Sequence, residues 1–117
     1  MDSNLHIARL WLAAFNEHNL EKLLALYAED AIHYSPKLKR HPESNGQITG
    51  KDNLRAWWKE AFDRLPTLQY KATSLTASSE RVFMEYTRQV EGEDNMSIAE
   101  VLDFDGDLIF ASRVYHG

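Results

Sequence analysis

Glu100 is an acidic residue in a place that packing alone would fill with a hydrophobe. It interrupts the alternation Ile98-x-Glu100-x-Leu102-x-Phe104 in a chain of 117 residues. Such alternation marks a strand with one face against a core, so this carboxyl is expected among apolar side chains. A carboxylate there is costly unless paired; it either gains a partner or keeps its proton. A carboxyl group with a raised pKa is a general acid or base usable near neutral pH. Arg113 lies on the next strand, diagonally opposite if Asp105-Gly106 forms a two-residue turn. That register pairs Phe104 with Asp107, Leu102 with Ile109, Glu100 with Ala111 and Ile98 with Arg113. Three readings follow. Glu100 and Arg113 form an internal ion pair that stiffens the sheet. Alternatively, Glu100 moves protons while Arg113 orients it or binds a developing negative charge. In the third, Glu100 faces solvent. A longer turn would shift the pairing by one and bring Phe110 and Val114 beside Glu100 instead.

Other polar residues carry two readings each. Tyr86, on the strand face Met84-Tyr86-Arg88, is either a core tyrosine with a satisfied hydroxyl or a pocket donor. The indole N–H of Trp11 is open to the same choice. His33 and Ser35 alternate with Ile32 and Tyr34 on a short strand, and either pair can face inward. The five histidines show no i, i+4 pair and no clustered ligand spacing, so no metal site is expected. No glycine-rich phosphate loop and no G-x-S-x-G turn is present. With no cysteine there is no disulfide or thiolate chemistry. A net charge of −5 argues against nucleic-acid binding, which needs phosphate neutralisation. The basic cluster Lys37-Leu38-Lys39-Arg40-His41 reads as a solvated loop. The start M-D-S-N-L-H lacks a basic n-region, and no run reaches the ~18 apolar residues of a membrane span. A cytoplasmic protein without membrane contact is the expectation.

The elements that position these residues are legible from periodicity. Ser3 or Asn4 can cap a first helix with Ile7, Leu10, Trp11, Ala14 and Phe15 on one stripe. Asn19 can cap a second, with Leu20, Leu23, Leu24 and Tyr27, that runs straight into a strand from Ala31 to Ser35, stopped by Pro36. Lys37 to Gln47 reads as loop. Thr49 and Asp52 resemble a capping box for a third helix carrying Leu54, Trp57, Trp58, Ala61, Phe62 and Leu65, ended by Pro66. Thr67–Ala77, Arg81–Val90, Met96–Phe104 and Leu108–Tyr115 are strands. The order α-α-β-α-β-β-β-β, with strands in a block, predicts one α+β domain over residues 1–117 with an antiparallel sheet.

The stretch L-Y-A-E-D-A at Leu26 to Ala31, with this element order, resembles the NTF2-like superfamily, its SnoaL-like and ketosteroid-isomerase-like members. The resemblance spans nearly the whole chain. It implies a cone: a strongly curved antiparallel sheet with three helices on its concave side and a cavity within. Compared by position with the steroid isomerases, Ser35 stands where their aspartate base would be, and Trp11 where their oxyanion tyrosine would be. Glu100 matches their protonated acid. A serine without an activating base cannot remove a carbon-bound proton, so steroid isomerase activity is not expected. The epoxide hydrolase branch needs an arginine between two acids, and no second inward acid is found. The SnoaL-type cyclases ask only for one pocket acid–base group.

Two functions are therefore expected as alternatives. The first is a cofactor-free isomerase, lyase or cyclase in which Glu100, aided by Arg113, moves a proton on a small apolar carbonyl compound. Its pocket would be built from Trp11, Phe15, Tyr27, His33, Ser35, Trp58, Phe62, Met84, Tyr86, Leu102 and Tyr115. The second is a non-catalytic ligand-binding or assembly module of the same fold. Phe83, Ala99, Val101, Phe110 and Val114 are expected on the outer sheet face, an apolar surface suited to a sheet-to-sheet homodimer.

Overall fold

The computed structural model describes residues 2–35 and 46–116. Pro36, the basic cluster Lys37 to His41 and Gly117 lie outside the described residues. The elements are α1 Asp2–Asn16, α2 Leu20–Leu24, β1 Tyr27–Tyr34, β2 Gln47–Thr49, α3 Lys51–Arg64, β3 Gln69–Ala77, β4 Arg81–Gln89, β5 Met96–Asp105 and β6 Leu108–His116. The strands form one sheet in the order β2-β1-β6-β5-β4-β3. It is curled but unclosed, and with three helices the class is α+β. One pairing departs from the expected antiparallel sheet: β1 runs parallel to β6.

The strand β2 was not expected, and β1 starts at Tyr27, four residues before the anticipated Ala31. The cause is a coincidence of periods. A spacing of four, Tyr27 to Ala31, puts two residues on one face of a helix and equally on one face of a strand. Both residues are fully buried. Helix α2 therefore stops at Leu24; at its start, Asn19 Oδ1 accepts from the Lys22 backbone N–H at 3.1 Å as the N-cap.

Alternation on β4 and β5 follows the expectation. Val82, Met84, Tyr86 and Arg88 are buried on β4, and Ile98, Glu100, Leu102 and Phe104 on β5. The β5–β6 hairpin differs. Gly106, at φ +62°, and Asp107 take the two central turn positions, between the paired Asp105 and Leu108. Phe104 pairs with Ile109, but Asp103 pairs with Ala111, which leaves Phe110 as a bulge. Beyond it Leu102 faces Ser112, Val101 faces Arg113 and Glu100 faces Val114. One extra residue exchanges the two faces of the rest of β6. Ser112 and Val114 point in; Ala111, Arg113 and Tyr115 point out.

Helix α1 lies over β3 and β4, and α3 over β1 and β2. The stripe on α1 keeps the expected Trp11, Ala14 and Phe15 and adds Asn4, Ala8 and Leu12 beside them, while Leu10, also expected on it, is exposed. Asn4 does not cap the helix. Its Nδ2 donates to Ser79 O at 3.1 Å, tying the helix to the β3–β4 turn. At the other end Asn16 Nδ2 donates to Tyr70 O at 2.9 Å, and Tyr70 N donates to Asn16 Oδ1 at 2.7 Å. Helix α3 has Gly50 as N-cap without a side-chain cap bond, so Thr49 does not form the expected capping box. The Thr49 carbonyl instead accepts from Asn53 Nδ2 at 2.9 Å.

Asn16 closes an edge strand with a two-way amide bond, and removing it strands a donor and an acceptor. Asn16→Ala is expected to lower the unfolding free energy by about 1–3 kcal/mol. Urea denaturation would show a reduced midpoint at constant slope; an unmoved midpoint would mean α1 is held by apolar contacts alone.

Candidate functional site

The curled sheet brings Glu100 to the interior from β5 with 2% of its surface exposed. Its Oε1 accepts from the Tyr86 hydroxyl at 2.8 Å. Oε2 is the one buried side-chain polar atom without a partner among the described residues. Burial pushes the carboxyl up to about 8, against the smaller opposing effect of the Tyr86 hydrogen bond. Glu100 is thus mostly protonated at neutral pH. Tyr86 lies against Tyr70, ring centroids 4.2 Å apart. Burial first, and the Glu100 charge second, raise the pKa of both phenols, so they remain neutral.

Glu100 lies on a cavity of about 80 Å³. Phe15 from α1, Trp58 from α3, Tyr70 from β3, Ile98 from β5 and Val114 from β6 form apolar wall. His33 and Ser35 from the end of β1 also line it. Toward the surface, Glu60 and Arg64 from α3 and the buried Arg88 from β4 add charge. Arg88 Nη1 donates to Glu93 Oε1 at 2.8 Å. Among the described residues no group of three or more His, Asp or Glu is placed to hold a metal ion.

A second buried polar group reaches the same cavity. Trp11 Nε1 donates to the Tyr27 hydroxyl at 3.0 Å, and that hydroxyl donates to Ser112 Oγ at 3.0 Å. Ser112 Oγ lies 2.7 Å from His33 Nδ1. Burial pushes the His33 imidazole down to about 4, so it is neutral at pH 7.

Of the residues singled out from sequence, Glu100, Tyr86, His33, Ser35, Phe15 and Trp58 line the cavity. Trp11, Tyr27, Phe62, Met84 and Leu102 are buried in the surrounding core instead. Arg113 and Tyr115 are corrections. The bulge at Phe110 turns Arg113 to the outer face, where Nη1 donates to Asp103 Oδ2 at 2.6 Å. Asp103 also pairs with Arg81, and the Arg113 guanidinium lies 5.2 Å from the Tyr34 ring centroid. No Glu100–Arg113 pair forms. Tyr115, expected in the pocket wall, is 53% exposed on the outer face. Val114, expected outside, lines the cavity. Tyr70, Arg88 and Ser112 were not anticipated as site residues. Arg88 follows Tyr86 by two on the same face, and Ser112 interrupts Phe110-x-Ser112-x-Val114 as Glu100 interrupts its own strand.

The chain is thus a curled, unclosed sheet with helices over its concave side and Glu100 buried beside a cavity. The family model for the SnoaL-like domain matches residues 8–111, and the chain belongs to that family. No curated protein matches it. A SnoaL-like protein of unknown function from Burkholderia thailandensis is similar in structure, with TM-score 0.88 and 24% identity over 100% of this chain and 97% of that one. An NTF2-like protein of unknown function from Burkholderia pseudomallei has TM-score 0.85 and 20% identity over 100% and 92%. A hypothetical protein with a ketosteroid isomerase-like fold from Catenulispora acidiphila, solved in complex with trimethylamine, has TM-score 0.75 and 20% identity over 93% and 83%. At these identities the likeness is one of fold.

The two shifted groups give opposite pH dependences. The folded pKa of Glu100, about 8, exceeds its ordinary 4.5, so its contribution is fully present below 4.5 and lost up to 8. His33, lowered from 6.5 to about 4, adds stability as pH rises through that interval. The stability of the native protein relative to Glu100→Gln is therefore expected to fall by roughly 1.4 kcal/mol per pH unit between those limits. Urea titrations of both proteins at pH 5, 6.5 and 8 measure the difference. A constant difference would mean that Glu100 ionises normally.

Proposed function

We propose that this domain binds a small carbonyl compound in its cavity and that Glu100 moves a proton on it without a cofactor. The observation that carries the reading is the buried carboxyl with one oxygen held by Tyr86 and the other unpartnered beside a cavity. A carboxylate whose pKa is about 8 is a stronger base than an ordinary one, and about a tenth of it is ionised at pH 7. In the ionised form it takes a proton from the carbon next to the carbonyl. The C–H electrons form the enolate, the carboxyl then holds the proton, and its return to another carbon completes an isomerisation. Return to the same carbon gives exchange with solvent. Burial of the site keeps the ionised form poorly solvated and reactive. No part is assigned to Ser35, which cannot serve as the base.

Exchange supplies the test without a known substrate. Acetone in heavy water, followed by NMR, is expected to lose its α-hydrogens faster with the protein than without. The rate should rise with pH and level off near 8, and Glu100→Gln should reduce it at least 100-fold. Equal exchange by Glu100→Gln would refute the proton-transfer role. The size of the cavity, about 80 Å³ against ~150 Å³ for one that takes benzene, limits a guest to a few heavy atoms and leaves it little room to react, which supports the second reading, a binding module without turnover. Its signature is chemical-shift change on adding the ketone with no exchange.

For assembly, we infer a homodimer through the outer sheet face, where Phe83, Phe110 and Tyr115 are exposed on β4 and β6. Ala99 and Val101 share that face; Val114 does not. Sedimentation at micromolar concentration should give a dimer, and Phe110→Lys a folded monomer. A native protein that sediments as a monomer refutes this interface.

A further inference from the structure

The hydrogen-bond chain that ends at His33 has only one internally consistent direction. It begins at an indole N–H, which can donate but never accept. The Tyr27 oxygen therefore accepts from Trp11, and its single proton is left for Ser112 Oγ, 3.0 Å away. Ser112 has one hydroxyl proton, and the one remaining partner within reach is His33 Nδ1 at 2.7 Å. If Nδ1 donated instead, Ser112 Oγ could accept from both neighbours, but its own proton would be left buried with no acceptor, at the cost of an unsatisfied donor. Nδ1 is thus the accepting nitrogen, and a neutral imidazole that accepts at Nδ1 carries its proton on Nε2.

Among the described residues Nε2 makes no hydrogen bond, and His33 is one of the residues that line the cavity. The ring is held edge-on to Trp58, centroids 5.4 Å apart, which limits its rotation. Neutrality follows from burial, as for Glu100, and among the described residues no carboxylate or cation pairs with the ring. On the sheet His33 is level with Ser112 and Leu102, two residues along from the level of Val114 and Glu100. The imidazole and the carboxyl thus approach the cavity from different strands, separated by β6.

We propose that the Trp11–Tyr27–Ser112 relay locks His33 as a neutral Nε2–H donor, and that this N–H binds the acceptor oxygen of the ligand while Glu100 acts on an adjacent atom. The inference rests on reading the cavity as a ligand site, and it narrows the ligand to a compound with an unprotonated acceptor, a ketone, aldehyde or amide oxygen. A neutral imidazole can stabilise an enolate oxygen without giving up its proton, because imidazole is itself a very weak acid. His33 touches the ligand; Tyr27 and Ser112 are positioning residues that act through it.

Nitrogen-15 NMR of histidine-labelled protein tests the relay with no ligand present. His33 should show the Nε2–H tautomer from pH 5 to 8 without titrating. An Nδ1–H tautomer, or titration near 6.5, overturns the proposal. In Ser112→Ala, which replaces a small buried side chain, the Nδ1–H form should become populated; a pure Nε2–H signal in that variant would also overturn it. In protein labelled at tryptophan as well, acetone and isobutane then probe the ligand role. The ketone should shift both the His33 Nε2 and the Trp58 indole signals, and the hydrocarbon only the indole. A ketone that shifts Trp58 and leaves Nε2 unmoved overturns the donor role while the cavity reading stands. A ketone that shifts neither overturns the cavity reading, and the donor role with it, whatever tautomer was measured.

Discussion

The bulge at Phe110 is the constraint on which the interior depends. In a strand, the side-chain period is two, so a single extra residue reassigns every later position to the other face. Without it Ala111 and Arg113 would enter the cone and Ser112 and Val114 would leave it. A guanidinium would then reach the neighbourhood of Glu100, and an ionised pair would replace a protonated acid. With it, Glu100 meets Val114 across the hairpin, and among the described residues the carboxyl's hydrogen-bond partner is a phenol. The chemical character of the cavity is therefore decided in the backbone of β6, some residues away from any reacting group.

What results is an interior that is polar but uncharged at its centre. Glu100 holds its proton and His33 lacks one, both because the charged form would be poorly solvated. Tyr27, Tyr70 and Tyr86 stay un-ionised for the same reason, with the Glu100 charge as the next cause. Among the described residues that line the cavity, charge is otherwise carried by Arg64, Arg88 and Glu60. The fold thus arranges five ionisable groups to behave as hydrogen-bond donors and acceptors. A proton gained or lost there is expensive enough to be noticed by the whole domain.

Much of this was readable in the amino-acid order. Glu100 stood out because an alternating strand has a strict period and the acid broke it. Its burial followed from Ile98, Leu102 and Phe104 alone. The faces of β4 were equally plain from Met84, Tyr86 and the next-but-one residues. The placement of Arg113 was not, because Asp105-Gly106 and Gly106-Asp107 are both acceptable turn pairs, and a bulge has no composition of its own at Phe110. The start of β1 was hidden by the four-residue spacing of Tyr27 and Ala31, which satisfies two periods at once. The relay to His33 could not be foreseen either. It joins α1, two points on β1 and β6, and only the parallel pairing of β1 with β6 makes these neighbours.

Asp103 is buried on the convex side of the sheet, bound by Arg81 from β4 and Arg113 from β6, and Arg113 in turn covers Tyr34 of β1. Four successive strands are thereby buckled together from outside. Cohesion of the wall does not then rely on what its inner surface carries. Residues within the hollow are free to diverge toward different guests while the exterior clasp keeps the curvature, a division of labour by which one scaffold can serve many chemistries.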